Sequence, residues 1–146
     1  MAQKFLKRIV ASYVTEPKIE YLEVFKEPEV VVRHFQPLAA RDREEFWAIH
    51  LDRANHLVCW DQVSIGALSE CHVSPREVLK MALLSNASSM IFLHNHPSGN
   101  TDPSREDTAL TEKLVKAAEI FGIRILDHII LALSGEFYSF RERGLL

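Results

Sequence analysis

Between residues 90 and 121 the chain reads as a strand, a sharp turn and a helix, and the turn is dense in groups that bind cations. Met90-Ile91-Phe92-Leu93 is an apolar run that leads directly into His94-Asn95-His96. Side chains two apart on a strand point to one face, so both imidazoles converge at a strand end. Pro97, Ser98, Gly99, Asn100 and Pro103 then break the strand. Downstream, Leu110, Leu114, Ala118 and Phe121 recur at helical spacing before Gly122, which predicts a helix over 104–121. Asp107 and Ser104 precede Leu110 on the same stripe. A carboxylate on a core-facing stripe must be paired, hydrogen-bonded or metal-bound, because burying it alone is prohibitive. Two neutral imidazoles and one carboxylate are the ligand set of a catalytic zinc that keeps its fourth position for water. Closed structural zinc sites usually recruit thiolates, and none is near. Ser104 to Asp107 also reads as a helix start, with Ser104 as N-cap and Asp107 at the third position, where an acid favours the helix dipole. The two readings are compatible, and capping leaves the histidines unexplained.

His-x-His-Pro followed by Ser-x-x-Asp is similar to the JAMM (JAB/MPN) metalloprotease motif. The surrounding text resembles the RadC family in particular: Pro75-Arg76-Glu77, His94-Asn95-His96-Pro97-Ser98-Gly99, Pro103-Ser104-Arg105-Glu106-Asp107 and Leu126-Asp127-His128 stand in that family's order. The resemblance covers residues 41–146. It implies a zinc held by His94, His96 and Asp107, an oxyanion-stabilising Ser104, and an upstream glutamate as general acid and base. The implied chemistry is hydrolysis of a peptide or isopeptide bond by metal-activated water.

That glutamate lies in Arg43-Glu44-Glu45-Phe46-Trp47-Ala48-Ile49-His50-Leu51, which alternates like a strand. Family comparison selects Glu44. Periodicity places Glu45 with Trp47, Ile49 and Leu51, and Glu44 with Phe46, Ala48 and His50. If helices cover both faces, apolarity does not choose between them. Glu44 is therefore taken as the base, with Glu45 as the alternate; ordinarily either would be a solvated charge at a strand end.

With 146 residues and 47% hydrophobic content the chain supports one ordinary core. We divide it into an amino-terminal strand/helix extension, 1–40, packed on the same domain, and a RadC-like metal domain, 41–146. The net charge is −3 and there is no block of lysine or arginine, which argues against sequence-independent nucleic-acid binding through this domain. RadC proteins carry a DNA-repair label, and their longer members have a helix-hairpin-helix domain before the metal domain. Only some forty residues occupy that place here, without a Gly-rich hairpin signature. A DNA-associated role and a non-catalytic, metal-containing protein-binding module stand as the rival readings. Zinc deaminases require His-x-Glu with a later Pro-Cys-x-x-Cys, and neither is present. Cys59 and Cys71 are too few for a zinc ribbon or a disulfide framework. No secretory leader and no bilayer-length apolar run is visible, so the cytoplasm is the default compartment.

The remaining patterning predicts a strand over 4–15, where a helix is the alternative, and a short helix over 27–35. A hairpin of 44–51 with 57–65 follows. Ser74-Pro75-Arg76-Glu77 is a capping box that opens a helix to about Asn86. Strands at 89–94, 123–133 and 136–140 complete an α/β fold, a single mixed sheet flanked by helices of the JAB/MPN kind. Asp127 and His128 interrupt an apolar strand and need partners. The favoured assignment is that they satisfy a loop or helix end, the alternative that one of them supports the metal site. His34, His50, His56 and His72 show no ligand spacing and are expected to be solvated or singly hydrogen-bonded.

Overall fold

The computed structural model describes residues 23–66 and 73–146. The strand expected over 4–15, His72 and Cys71 lie outside the described residues. Helix α1 (Pro28–Phe35) opens on a proline, whose fixed φ suits a first helical position, and runs into a 3-10 turn over Gln36–Ala40. Strands β1 (Glu45–Leu51) and β2 (Leu57–Ile65) form the expected antiparallel hairpin. Its connection is closed by Asp52, whose Oδ1 accepts from the Ala54 and His56 amides at 2.8 and 2.9 Å. Helix α2 (Pro75–Leu84) is capped by Ser74, and β3 (Ser89–Asn95), α3 (Arg105–Ile120), β4 (Arg124–Leu131) and β5 (Phe137–Ser139) complete the order. Gly122, at φ +68°, ends α3 and turns the chain into β4.

The sheet order is β2-β1-β3-β4-β5. Only β3 and β4 are parallel, and α3 is their crossover. Both β1 and β3 are buried along their whole length, because α1 and the 3-10 turn cover one face while α2 and α3 cover the other. Residue parity then selects the layer. Trp47, Ile49, Leu51, Ile91 and Leu93 pack with Val31, Phe35 and Leu38 on the α1 side. Phe46, Ala48, Met90 and Phe92 pack with Val78, Leu110 and Leu114 on the α2/α3 side. His94 shares parity with Met90 and Phe92, and so faces α3. Its antiparallel partner on β1 is Phe46, which brings the start of β1 beside the end of β3.

Of the two environments expected for the isolated histidines, His50 takes the singly hydrogen-bonded one: it is fully buried, and its Nε2 meets Asp61 Oδ1 at 2.6 Å, on an inner face because β1 is a central strand covered on both sides. Among the described residues no helix is long and apolar enough to cross a membrane.

Candidate metal centre

β3 delivers His94, the residue after it delivers His96, the start of α3 delivers Asp107, and the residue before β1 delivers Glu44. One ligand-capable atom from each of these four lies within 4.8 Å of the others. His94 Nε2 is 2.9 Å from His96 Nε2 and 3.5 Å from Asp107 Oδ1. His96 Nε2 is 3.6 Å from Asp107 Oδ2 and 3.3 Å from Glu44 Oε1, while Glu44 Oε1 is 3.9 Å from His94 Nε2. A tetrahedral zinc with bonds of about 2.0–2.1 Å holds its ligand atoms about 3.3 Å apart. The donor set and its spacing therefore fit such an ion, with His94 and Asp107 as buried corners and His96 as a partly buried one. Glu44 stands on the open side, its side chain 27% exposed against 2% for Asp107.

Each member is held from behind. Asp107 and Ser104 form a capping box: the Ser104 amide donates to Asp107 Oδ2 at 2.7 Å, and the Asp107 amide donates to Ser104 Oγ at 3.0 Å. One carboxylate oxygen is thereby fixed by the cap while the group still faces the histidines, as the sequence pattern allowed. His96 Nδ1 donates to the Asn100 carbonyl at 2.6 Å. A carbonyl only accepts, so Nδ1 keeps its proton and neutral His96 presents a lone pair at Nε2. The turn that brings Asn100 back is closed by Gly99, at φ +83°, whose amide donates to the His96 carbonyl.

Asn95 points to the opposite face of β3 and is fully buried. Its Nδ2 donates to the carbonyls of Arg43 (2.9 Å) and Arg41 (3.3 Å), and its Oδ1 accepts from the Glu45 amide at 2.8 Å. The backbone on both sides of Glu44 is thus tied to the residue between the two histidines. Glu45 points away from the cluster and accepts a hydrogen bond from Gln62 Nε2.

Electrostatics follow from the crowding. Burial pushes His94 down to about 4, against the attraction of Asp107. Burial also opposes a charge on His96, but its hydrogen bonds to Asp107, Glu44 and the Asn100 carbonyl outweigh that and raise it to about 10. Desolvation would raise Asp107, yet His96, His94 and the Ser104 cap hold it well below the usual carboxylate range. The upward shift of His96 has its source in the two carboxylates, Glu44 and Asp107, that face its Nε2.

Residues 25–145 match the RadC-like JAB domain. The chain belongs to the RadC-like JAB domain family. Relatives of this domain include a UPF0758 protein of Methanosarcina acetivorans, 40% identical over 139 residues that cover 95% of this chain and 59% of the relative. A UPF0758 protein of Pelobacter propionicus is 43% identical over 139 residues, covering 94% and 60%. One from Desulforamulus reducens is 47% identical over 105 residues, covering 72% and 46%. The RadC-like chain therefore spans at most 60% of the length of these curated relatives.

For Asp127 and His128 the favoured expectation was a loop or helix end, and the structure separates the two. Asp127 does satisfy a loop, as expected: it accepts from the amides of His128 (2.7 Å) and Arg141 (3.0 Å) and from Ser139 Oγ (2.6 Å). His128 does not. It faces α3, fully buried, with Nε2 2.7 Å from His94 Nδ1 and Nδ1 2.6 Å from Thr111 Oγ1. The parity of Phe92 and His94 on the neighbouring strand was the available signal; Thr111, one helical turn after Asp107, carried no signal on its own.

Proposed function

We propose that this domain is a zinc-dependent hydrolase of the JAMM type that cleaves peptide or isopeptide bonds in a protein or peptide substrate, with Glu44 as general acid and base. One observation carries the reading. Two imidazole nitrogens and two carboxylates converge across 2.9–3.9 Å, His94 and Asp107 buried and His96 and Glu44 partly exposed towards the opening. Such an arrangement wants a cation at its centre, and mixed imidazole and carboxylate ligands suit zinc.

When bound there, zinc supplies a charge that brings the pKa of a coordinated water toward neutrality and polarises a carbonyl. His94, His96 and Asp107 would hold it. In this reading Glu44 Oε1, on the open side, would take a proton from the attacking water and return it to the leaving nitrogen. Ser104 Oγ accepts from the Asp107 amide, which leaves its own hydroxyl proton free to be donated; in this reading it goes to the developing oxyanion.

Metal analysis tests the ligands. Wild type offered zinc should hold about one equivalent, and His96→Ala should hold far less. Glu44→Gln should keep the metal and abolish hydrolysis in a screen of peptide and isopeptide substrates, while Glu45→Gln should remain active. Zinc uptake with no turnover across that screen would make the domain a binding module instead.

A further inference from the structure

We infer that His128 and Thr111 are positioning residues that decide which nitrogen of His94 carries its proton, so that Nε2 meets the Glu44, His96 and Asp107 cluster as a bare lone pair. The argument starts at a backbone carbonyl. Thr111 Oγ1 donates to the Asp107 carbonyl oxygen at 2.6 Å. A hydroxyl has a single proton, so towards His128 Nδ1, also at 2.6 Å, the same oxygen must accept. His128 Nδ1 therefore carries a proton, and in the neutral ring Nε2 is an acceptor. At 2.7 Å that acceptor faces His94 Nδ1, which must then be the protonated nitrogen of His94.

Reversing the chain does not give an equivalent state. It would put a proton on His94 Nε2, in the ligand position, and leave Thr111 Oγ1 and the Asp107 carbonyl facing each other at 2.6 Å without a proton between them. The rings have little room to escape this choice. His94 stacks on Phe46, and His128 stacks on Phe140 with centroids 4.8 Å apart while meeting the edges of Phe46 and Phe92. The chain begins at the carbonyl of Asp107 and ends at His94, so one relay couples two of the groups whose side chains line the cluster. Its value for metal capture rests on the zinc reading above; the tautomer assignment does not.

Long-range proton–nitrogen NMR correlations of the histidine rings in the metal-free chain test the assignment. The expected result is a proton on Nδ1 of both His94 and His128. A proton on His94 Nε2 in the wild type overturns the inference. Thr111→Val keeps the side-chain shape and removes the hydroxyl, and should introduce the Nε2–H form of His94. An unchanged His94 pattern in that variant would also overturn it. Chelator competition for zinc then measures the consequence: His128→Phe should weaken affinity about 10–100-fold. His128→Gln, whose amide can accept from His94 and donate to Thr111, should recover most of the loss. Wild-type affinity in a folded His128→Phe, or no recovery in the glutamine variant, refutes a positioning role. If His128→Phe fails to fold, Thr111→Val is read in the same competition. A wild type with the stated tautomers and no zinc affinity would remove the zinc reading and leave this one standing.

Discussion

Replacing Asn95 by leucine should destabilise the fold and disable Glu44 while sparing the metal ligands. The side chain is fully buried and makes three hydrogen bonds to backbone: from Glu45 N–H at 2.8 Å, and to the carbonyls of Arg43 at 2.9 Å and Arg41 at 3.3 Å. Leucine fills a similar volume and leaves those groups without partners. The Arg41 bond is long and its residue exposed, so it contributes little. Of the other two, the Glu45 amide becomes a buried unpaired donor, costing about 1–3 kcal/mol, while the carbonyl of exposed Arg43 costs less, for a total of about 2–3 kcal/mol. For a domain of this size that lowers Tm by about 10 °C. Because the lost bonds bracket Glu44, hydrolysis should fall more than about tenfold, a loss of over about 1.4 kcal/mol in transition-state stabilisation, while zinc stoichiometry stays at one. Asn95→Asp is the control in chemistry: it keeps the acceptor for Glu45 and turns the Arg43 contact into a clash of two oxygens, so it should be at least as unstable. Thermal and urea denaturation with parallel metal analysis would decide. An Asn95→Leu protein within about 0.5 kcal/mol of wild type and fully active would refute the clamp.

Zinc capture should be proton-linked with a slope of one. His96, raised to about 10, must shed a proton to become a ligand, whereas His94, lowered to about 4, has none to lose at neutral pH. Between about pH 5 and 9 the apparent Kd should therefore fall about tenfold per unit rise in pH; calorimetry in buffers of different ionisation enthalpy would show one proton released, and a slope of zero or two contradicts the assignment. In the metal-free protein the sign is opposite: a His96 pKa above its unfolded value near 6.5 stabilises the fold below that pH, and the contribution is lost as pH climbs towards 10. Zinc should accordingly raise Tm most at alkaline pH. Asp127→Ala, which removes three hydrogen bonds from the β4–β5 end, should lower stability by about 2–4 kcal/mol without moving zinc affinity, and a matching loss of zinc would tie Asp127 to the site. Duplex DNA should bind weakly or not at all at about 0.15 M salt; tight binding that survives competition by unrelated polyanions would bring a nucleic-acid role to the fore.

Local sequence was enough for the unit from Met90 to Ile120, because a strand end, a broken turn and a helix start place His94, His96 and Asp107 by short-range geometry. The alternation of apolar residues likewise predicted the hairpin, and the Ser74 box predicted α2. Two decisions lay beyond it. The choice between Glu44 and Glu45 was invisible in the periodicity of β1, since helices bury both faces and parity has no wet side to refer to. Packing settled the geometry: the pairing of Phe46 with His94 and the hold of Asn95 on both flanks turn Glu44 towards the histidines and Glu45 towards Gln62. His128 was the second. It is 34 residues from His94, and its pattern alone could not separate it from Asp127 beside it. Adjacent residues on a strand face opposite layers, and which layer holds His94 and Asp107 is fixed only when α3 crosses over to make β4 parallel to β3.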